Sequence, residues 1–378
     1  MMRPIALLSC VLAMLAATPA VAVPVPKPPS VSAQSYLLMD TDTGRVLASE
    51  EADRRMAPAS LTKIMTAYVV YKALAAGSIS LADEVEISEN AWRMGGSQMF
   101  LEVGTTATVD ELLDGLVVQS GNDAALALAE HVAGSESAFV EQMNHYVEAL
   151  GLENTHFVNS EGLQHEEHYS TARDVAKMTR ALIREFPGNY ERYSKKEFTY
   201  NNIRQYNRNE LLWSDPSVDG VKTGYTAEAG YCLVASSRRD GMRLISVVMG
   251  APSEDQRAAD SRSLIAWGFR FYDTHRLFAT GEVLREARIW KGARDIVPLG
   301  LDRDLVVTIP RGEYENLDAT MSFPGRLVAP ARRGDTLGTV TVTLNGEQVA
   351  EAPLVALEAV ARGNFLQRAA DTVIQWFQ

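Results

Sequence analysis

Cysteine is almost missing from this sequence. Only two occur in 378 residues, and Cys10 lies in an apolar run near the N-terminus. Cys232 is alone in the rest of the chain, which excludes an intrachain disulfide there. It stands in the apolar stretch Tyr231-Cys232-Leu233-Val234-Ala235 and reads as a small core residue, not a nucleophile. Cations are also short: 36 lysines and arginines face 48 acidic residues, a formal net charge of -12. Phosphate binding needs a basic footprint, so nucleic acid is excluded as a partner. The apolar run at residues 5–17 is too short to span a bilayer comfortably. What remains is ordinary: 46% hydrophobic and 22% charged residues describe a soluble globular protein. The length suits two domains with a core that needs no covalent staples.

Arg3, the apolar run and the small-x-small box Ala20-Val21-Ala22 make residues 1–22 an expected secretory signal. An uncleaved anchor is the alternative. Residues 23–34 begin with Pro24, Pro26, Pro28 and Pro29 and read as an extended linker. Short strands are expected around residues 35–39 and 45–49, with Asp40-Thr41-Asp42-Thr43-Gly44 as the turn. Helical spacing then predicts helices over 60–76, 109–119, 123–133 and 136–150. Apolar strands at 231–237 and 242–250 flank the hairpin signal Arg238-Arg239-Asp240-Gly241, and helix returns over 261–272. Strands at both ends with helices between them imply one sheet carrying a helical insert, a catalytic-size unit over 35–275. Beyond it, Thr339-Val340-Thr341-Val342-Thr343-Leu344 alternates and Asn345-Gly346 follows, so 276–361 reads as a small all-β domain. The last stretch, 362–378, is amphipathic. Phe365, Leu366, Ala369, Val373, Ile374, Trp376 and Phe377 share one face, and Gln367, Arg368, Asp371 and Gln375 the other. It either lies on a membrane surface or docks on its own domain.

Three motifs carry the chemistry. A serine hydroxyl is a weak nucleophile and needs an adjacent base. In Ser60-Leu61-Thr62-Lys63 the hydroxyl and the amine are three apart, on one face of a helix. Pro58 and Ala59 suggest that Ser60 opens that helix, whose N-terminus favours a developing anion. Lys63 accepts a proton at neutral pH only if burial and a second cation lower its basicity, and Lys222 is the expected cation. Ser120-Gly121-Asn122 falls between two helices, where a hydroxyl can relay a proton and an amide can hold a carbonyl. Lys222-Thr223-Gly224, after an expected turn at Asp219-Gly220, fits an edge strand on which a peptide adds as a further strand. Their order, with about 60 and then about 100 residues between them, is the serine–lysine, S-x-N, K-T-G set.

With these motifs the sequence resembles the low-molecular-mass penicillin-binding proteins that are D-alanyl-D-alanine carboxypeptidases. The resemblance extends through Ala57-Pro58-Ala59-Ser60-Leu61-Thr62-Lys63-Ile64-Met65-Thr66, Ser120-Gly121-Asn122-Asp123-Ala124-Ala125 and Asp219-Gly220-Val221-Lys222-Thr223-Gly224-Tyr225-Thr226. It implies an α/β transpeptidase/β-lactamase-like domain, an antiparallel sheet with a helical insert, plus a C-terminal all-β sandwich. It makes Ser60 the acylated nucleophile, Lys63 its base, and Ser120 and Asn122 part of the proton path and substrate grip. Lys222, Thr223, Gly224 and Arg257 would bind substrate, chiefly its terminal carboxylate. The backbone N–H groups of Ser60 and of a residue near Tyr225 would form the oxyanion hole. The implied partners are peptidoglycan stem peptides, β-lactams and, through the tail, a membrane surface. The implied place is the periplasmic side of a bacterial inner membrane, and the tail is less basic than an anchor of this type suggests. No cofactor or metal is implied.

A β-lactamase shares the motif order but needs a water-activating glutamate, for which Glu161 and Glu166 are the candidates. A DD-endopeptidase and a non-catalytic penicillin sensor are further alternatives. His165-Glu166-Glu167-His168 lacks the spacing of H-E-x-x-H and is set aside as a metal site. Trp92, Trp213, Trp267 and Trp290, spread singly, read as core.

Overall fold

A computed structural model describes residues 25–374. The expected signal segment lies outside them, as do Gln375, Trp376 and Phe377 of the tail. Residues 25–34 run without helix or strand. The Ser32 N–H donates to Asp260, and Val25, Val31 and Ala33 pack on the core.

The first unit is built on a five-stranded antiparallel sheet. Its strands are β1 (Ser35–Asp40), β2 (Val46–Glu50), β3 (Val218–Thr226), β4 (Gly230–Arg239) and β5 (Met242–Ala251), in the order β2-β1-β5-β4-β3. The central strands are apolar on both faces because both are covered. Leu37, Met39, Cys232, Val234, Ile245 and Val247 face a helical layer, while Tyr36, Leu38, Leu233, Leu244 and Val248 face the other side. The helical layer includes α1 (Lys63–Ala75), α2 (Asn122–Ala133), α3 (Glu136–Ala149) and α4 (Ala172–Glu185). The opposite face is covered by α5 (Glu254–Phe271), with Leu264, Ile265 and Trp267 inward. Cys232 is fully buried, and burial pushes its thiol up to about 11, in keeping with an inert core residue.

Several local expectations need correction. The helix begun at Ser60 opens as a single tight 3-10 turn, Ala59–Thr62, before α1. Residues 115–119 wind as a π-turn after a helix at Val109–Asp114. Asp219-Gly220 is no turn but a bulged part of β3, where Asp219 accepts from Tyr190 and Arg243. The helix expected over 261–272 begins earlier and ends at Phe271. Tyr272–Phe278 is a strand paired with Leu305–Pro310. Trp267 and Trp290 are buried, but Trp92 and Trp213 are exposed, the latter beside Tyr206 and beneath Lys196.

The second unit is all-β. Its six-stranded sheet orders Leu317–Ser322, Thr336–Leu344, Glu347–Ala356, Ile296–Gly300, Arg285–Trp290 and Leu327–Val328. Val340 and Val342 point into its core, and Asn345 and Gly346 take the positive φ values, 52° and 86°, of a tight hairpin turn. The chain ends in α6 (Phe365–Ile374), docked by its polar face. The Lys291 N–H donates to buried Asp371, and Arg288 lies 3.7 Å from it. Phe365 and Leu366 are 75% and 76% exposed, and Val373 and Ile374 also face outward.

The two units meet at Asp40, which is fully buried. Its carboxylate accepts from the Thr43 N–H at 2.8 Å, the Thr43 hydroxyl at 2.7 Å and the Thr274 hydroxyl at 2.9 Å. Thr308 closes the cluster on both threonines. Removing a buried acceptor strands its donors. Asp40→Ala should therefore lower the unfolding free energy by about 3 kcal/mol, read as a lower urea midpoint at unchanged slope.

Candidate active site

The site assembles where the edge strand β3, the Ser60 turn, the 95–100 loop, the Ser120 bend and the 159–163 loop converge. They enclose a cavity of about 400 Å³ whose wall includes Ser60, Ser120, Asn122, Thr223, Gly224 and Arg257. Two glycines permit the approach. A Cβ on Gly162, at φ +93°, would overlap the Ala59 carbonyl oxygen at 1.9 Å. A Cβ on Gly224 would press on Pro58 O and Ser60 N at 3.2 Å. Ala59 itself is held at φ 48° and Ser120 at φ 66°, left-handed conformations that cost a non-glycine residue energy and need surrounding support.

Lys63 is the hub. Its Nζ donates to Ser60 Oγ at 3.2 Å, Asn122 Oδ1 at 2.7 Å and the Glu161 carbonyl at 2.6 Å. The side chain is buried, and burial lowers its pKa to about 7. Glu161 and Asp123 oppose that lowering, and Arg208 assists it. Arg208 is thus a cation acting on Lys63 that no motif indicated, and Lys222, the expected one, is electrostatically linked to the same amine. Lys222 is itself buried and off the cavity wall, its amine donating to Thr223 O at 3.1 Å. Burial first, then Lys63, Arg208 and Arg257, pushes it well below its usual basicity.

Ser120 Oγ is buried with no hydrogen-bond partner among the described residues, on a residue that lines the cavity. Asn122 is fixed at both ends, giving its amide N–H to Gly95 O at 2.7 Å. Arg257 pairs with Glu254 at 3.2 Å and lies over the Tyr231 ring, while exposed Tyr225 stacks on Tyr231 at 4.4 Å. The eight residues expected from sequence therefore gather at one place, six of them lining the cavity and Lys63 and Lys222 buried beside it.

Sequence reasoning missed three contributors. Arg208 lines the cavity but belongs to no motif. Glu161, weighed only as a water activator, instead offers its backbone oxygen to Lys63. His168 is buried under the nucleophile turn, its Nε2 2.8 Å from Thr62 Oγ1, with the Val158 N–H donating to Nδ1. His165 is exposed, so the two histidines of that cluster do not share a site. Among the described residues, no group of three His, Cys, Asp or Glu side chains is placed to hold a metal.

His168 also sets a pH dependence. Burial, with His156, His165 and Lys63, lowers its pKa to about 4 from an ordinary 6.5. The unfolded chain then takes up this proton first as pH falls. The associated stability is full above about 6.5 and is lost toward about 4, some ~3 kcal/mol at most. Urea unfolding at a series of pH values should show that slope, and His168→Gln should flatten it.

Comparison with known proteins agrees with this geometry. The family model described as D-alanyl-D-alanine carboxypeptidase matches residues 22–253, and that of the penicillin-binding protein 5 C-terminal domain matches 272–362. D-alanyl-D-alanine carboxypeptidase DacC of Escherichia coli (strain K12) is 46% identical over 362 residues, covering 92% of this chain and 90% of that protein. DacA of the same strain is 44% identical over 357 residues, covering 92% and 89%. A crystal structure of penicillin binding protein 5 from Haemophilus influenzae gives a TM-score of 0.85 at 43% identity, over 89% of this chain and 100% of the other. With its serine–lysine hub, its edge strand and its appended β domain, the chain belongs to the D-alanyl-D-alanine carboxypeptidase family.

Proposed function

We propose that this protein removes the terminal D-alanine from peptidoglycan stem pentapeptides through an acyl-enzyme on Ser60. One observation carries the assignment of roles: a buried, depressed amine, Lys63, lies 3.2 Å from the Ser60 hydroxyl at the wall of a cavity. The peptide lies along β3, whose outer edge is unpaired in the sheet. Its terminal carboxylate meets Thr223, Arg208 and Arg257, and that negative charge favours protonation of Lys222 behind them. Lys63 takes the Ser60 proton as Oγ bonds to the carbonyl carbon of the penultimate D-alanine. The backbone N–H groups of Ser60 and of a residue near Tyr225 receive the oxyanion. The C–N bond breaks, terminal D-alanine leaves with a proton relayed through Ser120, and water then hydrolyses the ester. The unpartnered Ser120 hydroxyl supports that relay, since a buried hydroxyl left without a partner is costly unless something arrives to use it.

β-Lactams acylate Ser60 by the same route. The proposed place of action is the periplasmic face of an inner membrane, with α6 lying on the lipid. Among the described residues no helix is long and apolar enough to cross a membrane. The outward Phe365, Leu366, Val373 and Ile374 support a surface seat instead.

Ser60→Ala should release no D-alanine from a D-Ala-D-Ala peptide and form no penicilloyl adduct, while its thermal unfolding stays near that of the parent. Retention of either activity would move the nucleophile elsewhere. The paired change Phe365→Asp and Leu366→Asp should abolish co-sedimentation with phosphatidylglycerol-containing vesicles and leave D-alanine release intact.

A further inference from the structure

Beside the Lys63 amine lies a pair of acids that no step above consumes. Glu136 opens α3, immediately after its N-cap Ser135. Glu161 belongs to the 159–163 loop and is only 4% exposed. Ser160 joins them. Its backbone N–H donates to Glu136 Oε1 at 3.0 Å, its hydroxyl donates to the same oxygen at 2.8 Å, and that hydroxyl is 3.2 Å from Glu161 Oε2. An oxygen that accepts two donors at a helix N-terminus is best served by a charged carboxylate. A second carboxyl buried beside it is then favoured in the protonated form. Burial and the neighbouring Glu136 both push the Glu161 carboxyl up, to about 7. The same loop is tied to α1 twice more, through Lys63 Nζ on Glu161 O and Thr66 Oγ1 on Ser160 O, each within 2.6 Å.

We propose that Glu136 and Glu161 form a positioning pair for Lys63. Glu136 anchors the loop through Ser160 and keeps Glu161 uncharged, and an uncharged Glu161 lets the neighbouring amine stay free of its proton. This rests on the reading of Lys63 as the base. Ionised Glu161 would place a negative charge beside the amine and favour ammonium, which has no lone pair to receive the Ser60 proton. The directions of the shifts agree: burial and Glu136 raise the Glu161 carboxyl, and Glu161 is the strongest influence that raises Lys63. The other charged or titratable groups facing this cluster are Asp123, Arg208, Lys222 and His168. Asp123 is engaged by the N–H groups of Met99, Phe100, Leu101 and Ala124, and His168 by Thr62 and Val158. Glu136 acts on the Glu161 carboxyl, and Glu161 in turn acts on Lys63.

The test is the pH profile of Ser60 acylation by a fluorescent penicillin, from about pH 5 to about pH 10 at fixed ionic strength. Glu161→Gln removes the charge that can form beside the amine. Its acid limb should move to lower pH by about one unit. Glu136→Gln relieves the like charge on Glu161, which then ionises earlier and holds the proton on Lys63. Its acid limb should move to higher pH. A general loss of negative charge near an amine would move both limbs downward, and that result overturns the proposal. So does a Glu161→Gln limb that stays in place. Thermal unfolding checks both variants, and if Glu136→Gln does not fold, the Glu161→Gln limb alone decides. Lys63→Ala separates the two levels. If it acylates at undiminished rate, the base assignment fails and the pair falls with it. If it is inert and the Glu161→Gln limb is unmoved, only the pair is wrong.

Discussion

Everything at this site depends on keeping one amine out of water. Lysine in solvent is an ammonium and cannot act as a base at neutral pH. Burial of Lys63 reverses that by taking hydration from the charged form. The free amine is not left unsatisfied, because Asn122 Oδ1 and the Glu161 carbonyl accept its two N–H groups, leaving the lone pair for the Ser60 hydroxyl 3.2 Å away. Both acceptors are neutral, one a backbone carbonyl and the other a doubly anchored amide. They orient the nitrogen without supplying the full negative charge that would fix its proton. The arrangement is a compromise: enough polarity to hold the amine, too little charge to keep it ionised.

That compromise explains the shape of the surrounding fold. Lys63 begins α1, and α1 is packed into the helical layer by Ile64, Met65 and Tyr68. The sheet below is covered on both faces, so β3 cannot shift without disturbing two cores. Against this frame the loops close with little clearance. Gly162 meets the Ala59 carbonyl and Gly224 meets the Ser60 backbone, contacts a side chain would obstruct. The positive φ of Ala59 and Ser120 fits the same pattern, since such conformations persist only where packing enforces them. Energy stored locally at the nucleophile is thus balanced by burial spread across the whole unit.

Legibility followed range along the chain. Ser60 and Lys63 were readable because three residues of separation is a local geometric statement. Ser120, Asn122, Lys222 and Thr223 were readable because of their order, and the resemblance it carried. The hairpins at Asp240-Gly241 and Asn345-Gly346 were readable because positive φ selects its residues. Arg208, Glu161 and His168 were not, because each acts through a contact far along the chain, such as the 98 positions between Lys63 and Glu161. Periodicity could not show that Lys222 is buried and not part of the cavity wall, since that depends on what packs around the edge strand. Nor could it separate Trp213, which lies exposed beside Tyr206, from the buried Trp267.

The tail shows the same logic at the surface. An amphipathic helix on a soluble domain normally hides its apolar stripe. Here α6 does the reverse, seating Asp371 on the Lys291 backbone N–H near Arg288 and turning Phe365 and Leu366 outward. A buried carboxylate held by a backbone donor fixes one rotation of the helix, because any other rotation strands that charge. The apolar face is therefore presented by the docking itself. With Arg368 and Asp371 offsetting each other, attraction to anionic lipid contributes little, and apolar burial is what drives the proposed surface attachment. An anchor of that kind is reversible, and because the docking fixes the helix rotation it would also set the orientation of the domain on the surface it meets.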